Sequence, residues 1–592
     1  MWLPNQTSVR DLAAAGLSPG VMSAGLGTVP ANQTYLDVGQ GNRVFDSLYD
    51  SPLPRLGTEP DCFRWGREAE ERAESAPAEI VPFLLIREIG SIFYDSKPTC
   101  VFGGVNRTGS TKGSGPILWI EEGSVGRAAR LRMGLRPQDL LIAIARPSGN
   151  SDEPLAIGIA GRGFAGNLTS DSTRTNGYVL STDIAPTILL RLGRLHPEVP
   201  AEMSGQPIRS EGTVDSAAIE SLVERMDVIS SRRGPVIGLN IVIWLAALLL
   251  VALLSRGRLA RPAVRVVGLA IVYLPLVLLL GATLEPGETA ERLLVLLLAP
   301  ALAGLTLLFL RGYRALAVAS TLTVLAYAID VIAGSPLTSL SLLGPNPGLG
   351  VRFYGIGNEL EALLAVLVVA GAGAALTGFA PHLPRRATAA TFVATGLVAA
   401  FVFAAGRFGA DVGAAIVFPV GAAVAAAIAA GRGRRTAVLA VVAAPIAVLA
   451  LLALIDLVSG ANAHLTRSVL DAGGLGDLAD VAQRRLQLSA HSFARPVLLA
   501  FLPVVVAIAV LAYVQRERLR AWLEGVPAMR AGLLGALAAT AIGTLANDSG
   551  ALLLEIGTAY LLVFLSFAWS ESGGKSGKSE QQTKRYTSVT QI

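Results

Sequence analysis

The chain has 592 residues, of which 52% are hydrophobic and only 16% charged, with a mean hydropathy of +0.54. An average soluble protein is about 25% charged, so this balance excludes an ordinary soluble enzyme. The net charge is only +5, and its positives sit in short loops without interleaved aromatics, which excludes a nucleic-acid partner.

Taken in chain order, residues 1–233 read as soluble, with charges and turns throughout. The runs 116–120 and 140–145 have the short apolar form of buried strands. Gly-rich turns separate them from helical stretches at 65–75 and 214–230, an order that predicts a parallel sheet covered by helices. Cys62 and Cys100 are the only cysteines. Their spacing and neighbours do not suggest a metal site. A disulfide between them fits an extracytoplasmic domain, and two separate buried thiols fit equally well. Residues 1–20 lack a basic start followed by an apolar core, so an upstream segment with an export signal is expected, the alternative being that the first membrane helix carries the domain across. The expected division is an α/β ectodomain over 1–213, a connecting helix or linker over 214–235, a transmembrane domain over 236–570 and a disordered cytoplasmic tail over 571–592.

The segment Ser181-Thr-Asp-Ile-Ala-Pro-Thr-Ile-Leu-Leu-Arg-Leu-Gly193, followed by Met203-Ser-Gly-Gln-Pro-Ile208, resembles the C-terminal signature of the alkaline phosphatase and sulfatase superfamily. Thr182 or Asp183 would cap the helix, and Pro186 falls in its first turn. The resemblance covers roughly the first 210 residues and implies an α/β fold with a nucleophile near Thr34. It also implies a first strand ending in a metal-binding Asp, and no such strand is apparent before Leu12. Where the family has a metal-binding Asp-His-Gly, this chain has Arg146-Pro147-Ser148. Arginine and proline offer no ligand atom, and His196 reads as a surface residue. Two-metal phosphatase chemistry needs more carboxylates and histidines, so the domain reads as a pseudoenzyme with no cofactor. The tetrapeptide Gln40-Gly41-Asn42-Arg43 reads as an ordinary turn, the alternative being an anion contact through backbone amides and Arg43.

Beyond Pro235 the chain becomes a series of apolar runs, each long enough to cross a hydrocarbon core of about 30 Å. They lie near 237–255, 264–283, 291–310, 314–334, 355–377, 387–405, 409–430, 436–458, 496–515, 529–546 and 550–569, about eleven helices in all. Odd-numbered connections are basic, as in Arg256, Arg258 and Arg261 or Arg432, Arg434 and Arg435. Even-numbered ones are mostly not, as in Glu285, Glu288 and Glu291. Positive loops face the cytoplasm, so the C-terminus is expected inside and the ectodomain outside a plasma membrane. The long connection 459–495 is then also outside, with an amphipathic helix expected near 475–488.

Ionisable groups in membrane spans are costly and tend to be functional. Here they gather at one level: Arg352, Tyr354, Asn358, Glu359 and Glu361 before and within the fifth helix, Arg407 and Asp411 between the sixth and seventh, Asn547, Asp548 and Glu555 around the start of the last. Asp330 and Asp456 read as loop ends. Glu359 and Glu361 cannot face the same way on a helix. Arg352 and Arg407 suit an anion, while Asp411, Glu359 and Asp548 suit pairing with these arginines, binding of a cation, or the role of a general base. The reading is a bacterial multi-pass membrane protein that handles a lipid-linked or anionic envelope precursor at the outer face. An active phosphotransferase or hydrolase, and a small-solute or ion transporter, are the alternatives.

Overall fold

The computed structural model describes residues 1–23, 29–30, 34, 37–38, 41, 122–147, 150–151, 153–192, 205–349, 352–459, 486–494 and 496–589. The expected strand 116–120, helix 65–75, Cys62, Cys100, His196, Arg43 and most of 475–488 lie outside the described residues. The chain divides into an N-terminal unit, Met1–Val228 with Asn346–Phe353, and a second unit, Ile229–Pro345 with Tyr354–Ile592.

The N-terminal unit runs β1 (Trp2–Leu3), α1 (Val9–Ala14), β2 (Ser18–Ser23), β3 (Val29–Pro30), α2 (Val125–Met133), β4 (Leu140–Ala145), β5 (Asn150–Ser151), β6 (Leu155–Gly161), β7 (Asn167–Thr169), β8 (Tyr178–Leu180), α3 (Ile184–Arg191), β9 (Arg209–Glu211) and α4 (Ser216–Arg232). Its main sheet has the order β1-β4-β6-β2-β8. The parallel sheet expected from the sequence is corrected to a mixed one: β1 pairs parallel with β4 and β2 with β8, while β6 is antiparallel to both its neighbours. The connection from Ala145 to Leu155 explains this, because a parallel crossover needs about a dozen residues or more. The short strand β1 precedes Leu12. It is only two residues long and runs into Pro4 and Asn5, so it carries no acid. Met22, Ile157, Ile159, Leu168, Val179 and Ile184 form the core around the sheet.

The signature helix is held by Asp183, which is completely buried. One carboxylate oxygen accepts from the Ser170 hydroxyl at 2.6 Å and the Leu180 N–H at 2.9 Å. The other accepts from the Ser172 hydroxyl at 2.6 Å and the Gln206 N–H at 2.9 Å. The expected helix cap is thus a wider clasp: Asp183 makes no side-chain cap bond to α3 and instead gathers the flanking turns. Thr187 extends it, accepting from the Ile208 N–H at 2.8 Å and donating to the Asp183 carbonyl at 2.5 Å. At the far end of α3 the Arg191 guanidinium donates to the carbonyls of Pro137, Gln138, Asp139 and Arg162.

The expected connecting helix or linker over 214–235 is helical from Ser216 and runs from the first unit into the second. α4 passes through a π-helical turn, Arg233–Gly238, into α5 (Leu239–Leu254), giving one continuous apolar-ended helix Ser216–Leu254. Pro235 lies in that turn and has no N–H to donate, which accounts for the widened hydrogen bonding there. Then follow α6 (Ala260–Leu284), α7 (Glu288–Phe309), α8 (Tyr313–Ile332), α9 (Asn358–Phe379), α10 (Arg385–Ala404), α11 (Ala414–Ala429), α12 (Arg434–Ser459), α13 (Pro496–Val514), α14 (Arg516–Trp522), α15 (Pro527–Ala546) and α16 (Gly550–Val589). Eight helices are long and apolar enough to cross a membrane, and Ala414–Ala429, Val438–Leu452 and Phe501–Val514 are shorter apolar helices. The apolar part of α16 ends at Ser572.

Helix α9 is the centre of the bundle, buried from Leu360 to Gly371 on all faces. Around it pack buried residues of α8, α10, α11, α15 and α16, among them Tyr327, Phe403, Phe418, Ala536 and Phe564. By contrast α5 exposes Val242, Leu249, Leu250, Leu253 and Leu254, and α7 exposes Leu293, Leu297, Leu305 and Leu308. Leucines on the outside of such helices meet lipid at no hydrophobic cost. The chain is a multi-pass membrane protein, with a lipid bilayer as its surroundings.

Candidate functional site

Helices α9, α11 and α16 all start at one end of the bundle: the turn before α9 is rich in glycine, the one before α11 holds glycines and Asp411, and the one before α16 holds Asn547 and Asp548. The turn before α9 is stitched to the one before α11. Gly355, at φ +78°, donates its N–H to the Ser335 hydroxyl at 2.9 Å, and the Ile356 N–H donates to the Gly409 carbonyl at 3.1 Å. Ordinary side chains disfavour that φ, and a Cβ on Gly355 would meet the Gly409 carbonyl oxygen. In the turn before α11 the Gly413 N–H bonds Asp411, and before α16 the Ser549 N–H bonds Asn547, each two residues on. These short side-chain-to-backbone bonds are what Asp and Asn contribute at turns.

The three turns bring together a line of polar side chains. Exposed Asp548 accepts from the Asn358 amide at 3.1 Å. Half-buried Asn358 accepts in turn from the Asn547 amide at 3.3 Å. Asn547, 4% exposed, also donates to Glu361 at 2.7 Å. Glu361 is completely buried, and the amide–oxygen assignment of the two asparagines follows this network. The backbone of the α10–α11 turn closes over the Glu361 carboxylate: a Cβ on Gly413 would lie 2.5 and 2.6 Å from its two oxygens. Asp411, 4% exposed, stands in the same turn. Burial therefore deepens stepwise from an exposed carboxylate to an enclosed one.

The sequence gathers ten residues at this level, and the structure separates them. Asn358, Asn547 and Asp548 are joined by hydrogen bonds, with Asp411 beside them in the Gly413 turn. Glu359 and Glu361 diverge, as helical geometry requires. Glu361 enters the line, whereas Glu359 accepts from Arg233 at 2.7 Å. Tyr354 is half-buried in the turn before α9, and Arg407 is exposed with its guanidinium 5.6 Å from the Phe408 ring. Arg352 groups with the N-terminal unit. Glu555 is half-buried farther along α16, and no hydrogen bond among the described residues joins it to the line. Asp330 is neither exposed nor part of the line. It is 6% exposed and accepts from the Leu337 and Thr338 N–H groups at 3.0 and 2.7 Å, which makes it the cap of the turn after α8.

Two ion pairs were not foreseen. Arg232 donates to Glu291 at 3.1 Å and to the Pro286 carbonyl at 2.7 Å, with Glu291 only 1% exposed. Arg233 donates to Glu359 and to the Gly344 carbonyl at 2.9 Å. Adjacent arginines at the head of an apolar run, followed by acids in the first turns of α7 and α9, are the sequence signal for them. Both acids also suit the positive end of a helix.

In the N-terminal unit Thr34, the expected nucleophile position, is completely buried. Arg146 pairs with Glu122 at 2.8 Å, both about half exposed; such a surface pair contributes at most about 1 kcal/mol. Gly41, at φ +65°, closes a turn on the Asp37 carbonyl. Among the described residues no group of three or more His, Cys, Asp or Glu has the arrangement to hold a metal ion. No family model, no curated protein and no solved structure matches this chain.

Proposed function

We propose that this bacterial plasma-membrane protein handles a lipid-linked cell-envelope precursor at the extracytoplasmic face, through the polar line in its bundle. One observation carries the reading: the line Asp548–Asn358–Asn547–Glu361 leads from exposed to enclosed at one end of an otherwise apolar bundle. Carboxamides both donate to and accept from sugar hydroxyls, and carboxylates accept from them, while exposed Arg407 on the neighbouring turn suits a linking phosphate. In this reading all eleven apolar helices span the membrane. The alternation of basic connections then puts these turns and the N-terminal domain outside and the C-terminus inside. The N-terminal domain has an alkaline-phosphatase-like ancestry and serves as a binding or docking module without metal chemistry. That part rests on the buried Thr34 and on Arg146 standing at the expected ligand position.

Native mass spectrometry of the full-length protein, extracted gently from its own membrane, tests the proposal. A co-purifying lipid-phosphate glycan is expected with the wild type and not with Asn358→Ala or Asp548→Ala. Equal retention by all three proteins overturns it. The second reading, an ion or solute transporter, is favoured by the complete burial of Glu361 and predicts flux that Glu361→Gln abolishes while envelope lipids stay unchanged. An active phosphotransferase in the N-terminal domain would instead require stoichiometric zinc or manganese in the purified protein.

A further inference from the structure

The N-terminal unit includes a piece of the bundle's own α8–α9 connection, Asn346–Phe353. Phe353 is 2% exposed, and its ring centroid lies 5.0 Å from that of Tyr178 on β8. A Cβ on Gly348 would stand 2.7 Å from the Met226 carbonyl oxygen on α4. The piece is therefore seated on two elements of the N-terminal unit.

Its two ends rejoin the second unit at Pro345 and Tyr354. One guanidinium closes that base. Arg233 donates through Nη2 to the Gly344 carbonyl at 2.9 Å, just before the piece, and through Nη1 to Glu359 at 2.7 Å, just after it. The planar fork of arginine is suited to holding two acceptors at once. Arg233 itself follows directly on α4, in the π-helical turn. So every covalent passage between the two units – after Val228, before Asn346 and after Phe353 – reaches this guanidinium within a few residues. Glu359 lies in the first turn of α9, beside Asn358 and within one turn of Glu361. The first turn of a helix is also its least secured part, because its leading N–H groups have no partner inside the helix.

We propose that the described parts of this connection, 344–349 and 352–359, act as a conformational strap, with Arg233 as its clasp. Displacement of β8 or α4 in the N-terminal unit pulls on Phe353 and Gly348, and the strap passes it to the first turn of α9. The Asn358–Asn547–Glu361 geometry changes with it. The N-terminal domain then acts as a regulator of the membrane line rather than as a separate enzyme. The coupling is independent of what the line binds, so it stands or falls apart from the precursor reading.

Hydrogen–deuterium exchange of the full-length protein in lipid nanodiscs tests the strap. The reporter is the first turn of α9, including the Glu361 N–H that bonds the Gly357 carbonyl at 2.9 Å. Phe353→Ala unseats the strap, and Arg233→Gln opens the clasp. Each is expected to speed exchange there by about tenfold or more, while α6 stays protected as in the wild type. The double variant should be no faster than the faster single, because both act on one linkage. If Phe353→Ala speeds exchange only in the 344–353 segment and leaves the first turn of α9 at the wild-type rate, the strap transmits nothing and the proposal fails. Should Phe353→Ala not assemble, Phe353→Leu makes the same comparison with a smaller change.

Discussion

Gly535→Leu will break the centre of the bundle. Gly535 sits where α9, α11 and α15 touch. A Cβ there would meet the Gly421 carbonyl oxygen and lie 2.8 Å from the Ala425 Cβ and 2.9 Å from a Val369 methyl. Each neighbour is backbone or a short stiff side chain, so none can swing aside. Packing in membranes relies on such close backbone approach, because lipid removes the hydrophobic drive between helices. Overpacking one site costs about 1–3 kcal/mol and occasionally more, and leucine adds four carbons at a junction of three helices. A fall in the unfolding midpoint of about 10 °C is expected in nanodiscs, with loss of a single peak on size exclusion. Leu534→Ala, one residue away on a partly exposed side chain, should shift the midpoint by no more than about 2 °C. Similar shifts for the two would mean the helices do not meet at Gly535.

The second large effect is expected at Asp183. Alanine there leaves two hydroxyls and two N–H groups without their acceptor inside the N-terminal unit. Such losses are not additive, and about 3–5 kcal/mol is expected in total. Asp183→Asn keeps one carbonyl acceptor and should fall between alanine and the wild type. Limited proteolysis of the full-length protein would follow it, with cleavage in 1–215 accelerated and the bundle fragments unchanged. The pH dependence has a definite sign. Burial pushes the Asp183 carboxyl above its usual 3.8, against the four hydrogen bonds that favour the charged form. The folded state therefore holds the proton to higher pH than the unfolded chain does. Its contribution is fully present below the unfolded value and declines as pH rises through the window up to the folded value. Asp183→Asn should remove that slope. A wild-type contribution that grows with pH across the window would show the carboxylate to be the favoured buried form.

The parts of the molecule read correctly from sequence are those governed by local periodicity. Apolar runs longer than a bilayer core identify helices such as α6, α8 and α9 without any tertiary knowledge. The β4 strand and the α4 helix are equally plain, since strand and helix patterns are local, while α3 is legible through the family resemblance. The sheet direction was not legible. The antiparallel return of β6 depends on how short the Ala145–Leu155 connection is, and a run of apolar residues says nothing of the direction of its partner. In the site, the spacing of Glu359 and Glu361 told that they diverge, but not which one faces Asn547. That depends on the rotation of α9 set by its packing against α11 and α15. Arg232 and Arg233 escaped notice because they precede the apolar run and look like flanking charges. Their partners, Glu291 and Glu359, are remote in sequence.

The central claim is that the working groups lie in the bundle and not in the N-terminal domain. A head-to-head complementation tests it most directly: lipid-linked precursors are measured by mass spectrometry in cells whose only copy carries Glu361→Gln, Thr34→Ala or neither. The account predicts that Glu361→Gln accumulates precursor as a deletion does, while Thr34→Ala, expressed to the same level, matches the wild type. Accumulation with Thr34→Ala and a wild-type profile with Glu361→Gln would contradict it and return the chemistry to the N-terminal domain.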